Sequence, residues 1–248
     1  NRFPGGKGAN QALAAKRLGA DVQLVACVGD DAAADEALAL LRDGGVDLSH
    51  LVVASGVPTG TALIAVAPSG ENHIVVAPGA NRSLAPEALE VPAADALICQ
   101  LEVPADTVAR AAAEFDGFFC VNLAPAKQVD VTVLQRADLL IVNELEAAWY
   151  GDTLNACSGM IVTTVGAAGA TISQGGDDIA VARPPRIEAV DTTAAGDTFT
   201  AALTVAIVEG QSPQQALEFA CAAGAAACTR LGAQPSLPTR DEVLSLGA

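Results

Sequence analysis

The stretch "GFFCVNLAPAKQVDVTVLQRADLLIVNELE" (117–146) decides the fold of this 248-residue chain. Two of its parts, "GFFCVNLA" (117–124) and "DLLIVNELE" (138–146), are short runs that stay apolar without alternating. A strand with one wet face alternates apolar and polar residues, whereas a strand covered on both faces needs no polar side, so both runs predict strands inside a parallel sheet. Working outward, similar runs recur at "VQLVACVG" (22–29), "ALICQLE" (96–102), "MIVTTVG" (160–166) and "GATISQ" (169–174), and helical patterns occupy "DAAADEALALLRDGG" (31–45) and the region near 104–115. Strands alternating with helices predict a three-layer α/β/α fold with a mostly parallel central sheet. "TALIAVA" (61–67) and "NHIVVAPG" (72–79) differ: "APSGEN" between them reads as a hairpin turn, which predicts a small β lid with its strands within about 45–80. Two Ala-rich helices, about 196–209 and 213–230, close the chain, the second opened by Ser212 as cap and Pro213 in the first turn. No internal repeat or linker divides the sequence, so residues 1–248 read as one domain.

Composition narrows the function. An apolar share of 51% supports a sizeable core, and no apolar run reaches the roughly 18 residues of a membrane span, which predicts a chain with no membrane partner. The net charge of −16 argues against nucleic acid, whose phosphates demand clustered Lys and Arg. Six cysteines (Cys27, Cys99, Cys120, Cys157, Cys221 and Cys228) stand singly, most of them in apolar runs, and read as free buried thiols of a reducing, cytoplasmic compartment. His50 and His73 lack partners at ligand spacing, which offers neither a zinc site nor a His-based triad. The chain begins at Asn1 and its one methionine is Met160, so further residues are expected ahead of it.

The chemistry concentrates in two motifs. In "RIEAVDTTAAGDTFTAALTVAIVEG" (186–210), a strand-like "RIEAV" leads through a small-residue turn into an apolar helix. The first amides of a helix have no partner inside it, and small residues let a ligand approach them, so Ala194, Ala195 and Gly196 form a candidate anion hole. Asp197 stands beside it. A carboxylate there could simply cap the helix, but the turn holds a second acid, Asp191, around its small side chains. An acid next to an anion hole suits phosphoryl transfer to an alcohol, with the acid taking the hydroxyl proton. The second motif, "PGGKGANQ" (4–11), has neither the spacing of a Walker A loop nor the third glycine of a dinucleotide fingerprint. Gly5-Gly6 permits a tight turn, and Lys7, Asn10 and Gln11 present hydrogen-bonding groups of the kind a polyhydroxylated ligand requires. The plain alternative is a glycine-rich turn with solvated polar residues.

Together, "GGKGANQALAAKRLGA" and "DTTAAGDTFTAAL", with "QLEVP", "VNLAPA", "VNELEA" and "TRLGAQPSLP" between and after them, resemble the ribokinase and PfkB family of sugar kinases over nearly the whole chain. The resemblance implies an ATP-dependent sugar kinase, with ribose first among its substrates. Asp197 would be the base, and Ala194, Ala195 and Gly196 the anion hole. Gly6, Lys7, Asn10 and Glu102, with Asp197, would hold the sugar. Asn143 and Glu146 match an N-x-x-E motif that organises Mg²⁺ and the triphosphate through water; without it, Glu146 would read as a solvated helix residue. Thr164, Val165, Gly166, Ala167, Ala168 and Gly169 match a loop over the nucleotide, which Gly196 would also contact. Cys221 matches a position near adenine where the family often has a histidine. Asp191, Thr193, Ala227, Arg230, Gly232 and Ser236 match a K⁺ site beside the anion hole, mostly through backbone oxygen. A homodimer through the lid is a further expectation of the resemblance.

The chain also departs from the family pattern. A first strand with an N-x-D sugar motif is expected before Asn1, along with part of the lid, and the segment from Asn143 to Thr164 is shorter by about a helix. Kinases for deoxyribose, fructose, a keto-deoxy acid or a nucleoside share the motifs around Asp197, and a non-catalytic sugar or nucleotide sensor could share the fold. A sensor, however, has no need of a base.

Overall fold

The computed structural model describes residues 2–66 and 72–247. Helix α1 (Lys7–Arg17) is followed by β1 (Ala26–Gly29), α2 (Ala32–Asp43), β2 (Leu51–Ala54), β3 (Thr61–Val66) and β4 (Asn72–Ala77). Then come β5 (Ala96–Gln100), α3 (Ala105–Glu114), β6 (Phe118–Asn122), α4 (Val131–Arg136), β7 (Leu139–Asn143), α5 (Glu144–Tyr150) and β8 (Met160–Thr164). The chain closes with β9 (Ala170–Gln174), β10 (Asp177–Ala182), α6 (Ala195–Val208), α7 (Pro213–Ala227) and α8 (Arg240–Leu246).

Strands β5 to β10 form one six-stranded sheet in chain order, parallel from β5 to β8 and antiparallel through β9 and β10. The non-alternating runs explain the layering. Along β6 and β7, Cys120, Leu139 and Ile141 face a core shared with Phe199 and Leu203 of α6 and Leu217 of α7. Phe119, Val121, Leu140 and Val142 face a second core with Val108 of α3 and Val133 and Leu134 of α4. Each strand thus needs apolar side chains at every position because successive residues enter opposite cores. Burial pushes the Cys99 and Cys120 thiols up to about 12, so they remain protonated packing groups.

The remaining strands form two small units: β1 pairs in parallel with β2, and β3 pairs antiparallel with β4. The β3–β4 ribbon matches the predicted lid pair, while the turn assigned to "APSGEN" falls mainly on 67–71, outside the described residues. β2 lies within the span given to the lid but belongs with β1 instead. Asp31 roots the ribbon to α2: its carboxylate caps Ala34 N–H at 3.0 Å and accepts the Thr59 N–H and hydroxyl at 2.9 and 2.6 Å. Among the described residues, β5 ends the large sheet. A cavity of about 1810 Å³ reaches from its residues to those of β1, with Thr204 and Val205 of α6 also lining it.

Several expectations need correction. "RIEAV" is not a strand, because Val190 and Asp191 give their N–H groups to the Cys228 carbonyl at 2.8 and 3.2 Å and leave no ladder to join. "DLLIVNELE" splits after Asn143, where a capping box turns the chain into α5. The short elements α4, β10 and α8 carry no signal of their own in the sequence patterns above.

Candidate active site

Three of the four parallel strands of the sheet end in an amide side chain: Gln100 on β5, Asn122 on β6 and Asn143 on β7. Ligands of open α/β sheets gather at these carboxyl ends, and the two sequence motifs converge there. The loop before α1 arrives with Gly6 at a φ of 99°, a conformation suited to glycine. The Glu102 carboxylate just beyond β5 accepts the Lys7 N–H at 2.8 Å and so places a negative charge at the start of α1. One turn on, the Asn10 amide donates to Asp197 Oδ2 at 2.7 Å and Gln11 to Asp197 Oδ1 at 3.0 Å. Asp197 is only 6% exposed. The buried Asn10 Oδ1 has no partner among the described residues, which leaves an acceptor available to a ligand hydroxyl.

The start of α6 is uncapped. Ala194 takes a left-handed conformation (φ 63°), the only non-glycine residue with positive φ among the described residues, and contributes no side-chain cap. The three expected hole amides are not equivalent. Ala195 N–H bonds the Thr192 carbonyl at 3.3 Å, whereas those of Ala194 and Gly196 have no protein acceptor among the described residues. Gly196 is exposed, and a Cβ built on it meets nothing within 4 Å, so the approach to its amide is open.

Asn143 and Glu146 form a reciprocal capping box, Glu146 N–H to Asn143 Oδ1 and Asn143 N–H to Glu146 Oε2, both at 2.9 Å. Glu146 is 8% exposed, which corrects the solvated-helix alternative. Burial raises its carboxyl above the ordinary value against the pull of the Asn143 N–H and the Lys7 charge. The Lys7 charge is the smallest of these influences on Glu146. Thr164 closes β8, and Val165 to Gly169 form a tight turn closed by Val165 N–H to Gly169 O at 2.8 Å. Gly166, Ala167 and Ala168 are exposed, while Gly169 (φ 110°) passes so near the Ala182 carbonyl that a Cβ would sit 2.1 Å from it. Cys221 is 5% exposed within the core of α6, α7 and the sheet, and burial lifts its thiol to about 11.

Asp191 binds two of the residues matched to a cation site, Thr193 and Gly232. Its Oδ1 accepts the Thr193 N–H and hydroxyl at 2.9 and 2.6 Å, and its Oδ2 accepts Gly232 N–H at 2.9 Å. Burial opposes its charge, but these bonds outweigh burial and hold the carboxyl below its ordinary range. Arg230 donates to the Ser236 carbonyl at 3.1 Å, and Ala227 immediately precedes the Cys228 carbonyl that binds Asp191 N–H. A monovalent cation here would rely on the remaining backbone oxygens, with the Ser236 carbonyl already engaged. Among the described residues no cluster of three His, Cys, Asp or Glu offers a divalent-metal cage.

Gln11, read from the sequence as a group for a polyhydroxylated ligand, spends its amide on Asp197, Gln100 and Asn122; Gln100 and Asn122 themselves are the site residues that the sequence reading did not assign. Their signal was present: a polar amide ending an otherwise apolar strand wants a partner at the carboxyl edge.

A buried carboxylate beside open helix-terminal amides, at the carboxyl edge of a three-layer α/β sheet, is the equipment of a phosphotransferase with an alcohol acceptor. Known proteins agree. The sequence profile of the pfkB family of carbohydrate kinases matches residues 1–240. The ribokinase of Haemophilus influenzae is 37% identical over 97% of this chain and 86% of its own length. Among solved structures, the ribokinase of Thermotoga maritima superposes with a TM-score of 0.90 at 34% identity, covering 99% of this chain and 88% of that one. The Arabidopsis thaliana ribokinase complexed with ribose and ATP gives 0.87 at 29% identity, covering 98% and 87%. The chain belongs to the pfkB family of carbohydrate kinases.

Proposed function

We propose that the protein is an ATP-dependent ribokinase, converting ATP and D-ribose to ADP and D-ribose 5-phosphate. The observation that carries this reading is Asp197, buried and held by Asn10 and Gln11 beside the open amides of Ala194 and Gly196. Ribose lies against Gly6, Lys7, Asn10 and Glu102, where the unpartnered Asn10 Oδ1 accepts a sugar hydroxyl. The primary hydroxyl attacks the γ-phosphorus in line. The new O–P bond forms as the bond to the ADP oxygen breaks, and Asp197 takes the hydroxyl proton. Because the transition state is loose, that proton moves late and the free amides carry the developing charge, each worth about 3 kcal/mol of barrier. Asn143 and Glu146 face the triphosphate, the turn from Thr164 to Gly169 covers the nucleotide, and Cys221 underlies the adenine side as a packed core residue. Asn143 and Glu146 would organise a Mg²⁺ ion bound with ATP, which would supply charge neutralisation.

Asp191, Thr193, Ala227, Arg230, Gly232 and Ser236 would hold a K⁺ ion, whose charge would order the anion-hole turn. The bonds between Asp191, Thr193 and Gly232 support this placement, and the engaged Ser236 carbonyl makes it the least firmly held of the ligands. Dimerisation through the lid is supported by Leu63, Val75 and Val76 on the ribbon, which are 71%, 67% and 52% exposed. Six free thiols and the lack, among the described residues, of a helix able to cross a membrane support a cytoplasmic enzyme.

ADP release with Mg²⁺-ATP, with and without K⁺, across D-ribose, 2-deoxyribose, fructose, a keto-deoxy sugar acid and adenosine tests the reading. Ribose-dependent turnover raised by K⁺ is expected. Turnover with another substrate alone would move the acceptor, and no turnover at all would favour a sensor.

A further inference from the structure

Gln11 is 1% exposed on α1, and its amide joins the sheet to Asp197. Its Oε1 accepts from Gln100 Nε2 at 2.6 Å, and its Nε2 donates to Asp197 Oδ1 at 3.0 Å and lies 3.3 Å from Asn122 Oδ1. The orientation is chemically determined, because an ionised carboxylate only accepts and a donor must face it. Gly8 keeps the helix close enough for this chain of bonds: a Cβ there would stand 3.1 Å from Gln100 Oε1. Asn10 occupies the other carboxylate oxygen, and no backbone N–H among the described residues donates to Asp197. An acid in the first turn of a helix ordinarily folds back onto the helix's own free amides. Here those amides line the anion hole, so an untethered Asp197 would fill the hole it has to serve.

We propose that Gln11 is a positioning residue for the reaction, holding Asp197 off the α6 amides and tying its rotamer, through Gln100, to the strand end that carries Glu102. The inference rests on the reading of Asp197 as the base. It adds a role to a residue that touches neither nucleotide nor reacting atoms in that reading.

Two single variants of Gln11, with Asp197→Asn alone and combined with Gln11→Met, test it. Gln11→Met keeps the length and removes the bonds; its kcat for ribose should fall about 10- to 100-fold, the scale of a misplaced catalytic group, while KM for ribose stays within about threefold. Gln11→Glu keeps the shape but sets two carboxylates face to face, which cannot both ionise without penalty. The acid limb of its kcat profile should therefore move upward by about one pH unit or more, a displacement that a merely structural role would not produce. Gln11→Met in an Asp197→Asn background should cost nothing further, because the two act as one unit. Thermal melts identify any variant unfolded at the assay temperature, and Gln11→Glu then carries the test alone. Wild-type kcat in Gln11→Met, or an unmoved pH profile in Gln11→Glu, with Asp197→Asn inactive, overturns the role of Gln11 and leaves the base reading standing. Turnover by Asp197→Asn overturns the base reading itself.

Discussion

Substituting Gly196 by Ala should make the protein more stable and less active at once. Gly196 is the second residue of α6, its φ is not positive, and the added methyl group meets no atom within 4 Å. Replacing glycine inside a helix by alanine gains up to about 1 kcal/mol, less near a terminus, because the unfolded chain loses freedom that the helix never needed. In a chain of this size that gain raises Tm by about 2 °C. The same methyl group occupies the open space through which a phosphate oxygen reaches the Gly196 amide. Losing one such donor raises the barrier by about 3 kcal/mol, a fall of about 100-fold in kcat. Differential scanning calorimetry and a coupled ADP assay read the two effects separately. A variant that melts higher and keeps kcat within twofold of the parent would show that nothing approaches Gly196 during turnover, and the anion hole would have to lie elsewhere.

Other substitutions separate structure from chemistry in the same way. Glu146→Gln preserves an oxygen for the Asn143 N–H and removes a charge that burial disfavours, so Tm should hold or rise while turnover drops at least about tenfold and needs more Mg²⁺; a lower Tm with full activity would mean that Glu146 serves only as a cap. Hydrogen bonds from Arg230 and the Thr239 N–H hold Glu242 down at about 2 against an ordinary 4.5. The stability it contributes is complete above about 4.5 and is lost as pH falls toward about 2, so Glu242→Gln should flatten the acid limb of a pH-stability curve, and an unchanged limb would deny the pair any contribution. Leu63→Lys on the exposed ribbon should leave Tm unchanged and shift the mass seen by light scattering from dimer to monomer; a parent that is already monomeric would rule out the lid interface.

The parts of this protein that the sequence disclosed are those fixed locally. Apolar runs such as Phe118–Asn122 and Leu139–Asn143 must be covered on both faces, and the small-residue turn before Asp197 must leave helix amides free. What escaped depends on partners far along the chain. Gln11 bonds residues 89, 111 and 186 positions away, and no local pattern marks an amide as a bridge instead of a solvated side chain. "RIEAV" has strand propensity but finds the end of α7 where a neighbouring strand would be needed, so tertiary context overrides the local preference. Ala194 is the reverse case, a residue type that disfavours positive φ yet is held there, and only the folded turn reveals it. Glu146 shows the middle ground: the N-x-x-E spacing was visible and is also the spacing of a capping box, so the motif accounts for the start of α5 before any metal is considered.

The central claim is that Asp197 takes the proton of a ribose hydroxyl while neighbouring amides hold the phosphate. The most direct measurement compares ribose 5-phosphate formation from Mg²⁺-ATP by the parent protein and by Asp197→Asn, with ribose binding measured on both by calorimetry. The account predicts that the variant binds ribose and loses at least about 99% of its turnover, in line with removal of a general base. Undiminished product formation by Asp197→Asn, with ribose bound as tightly as before, would contradict it.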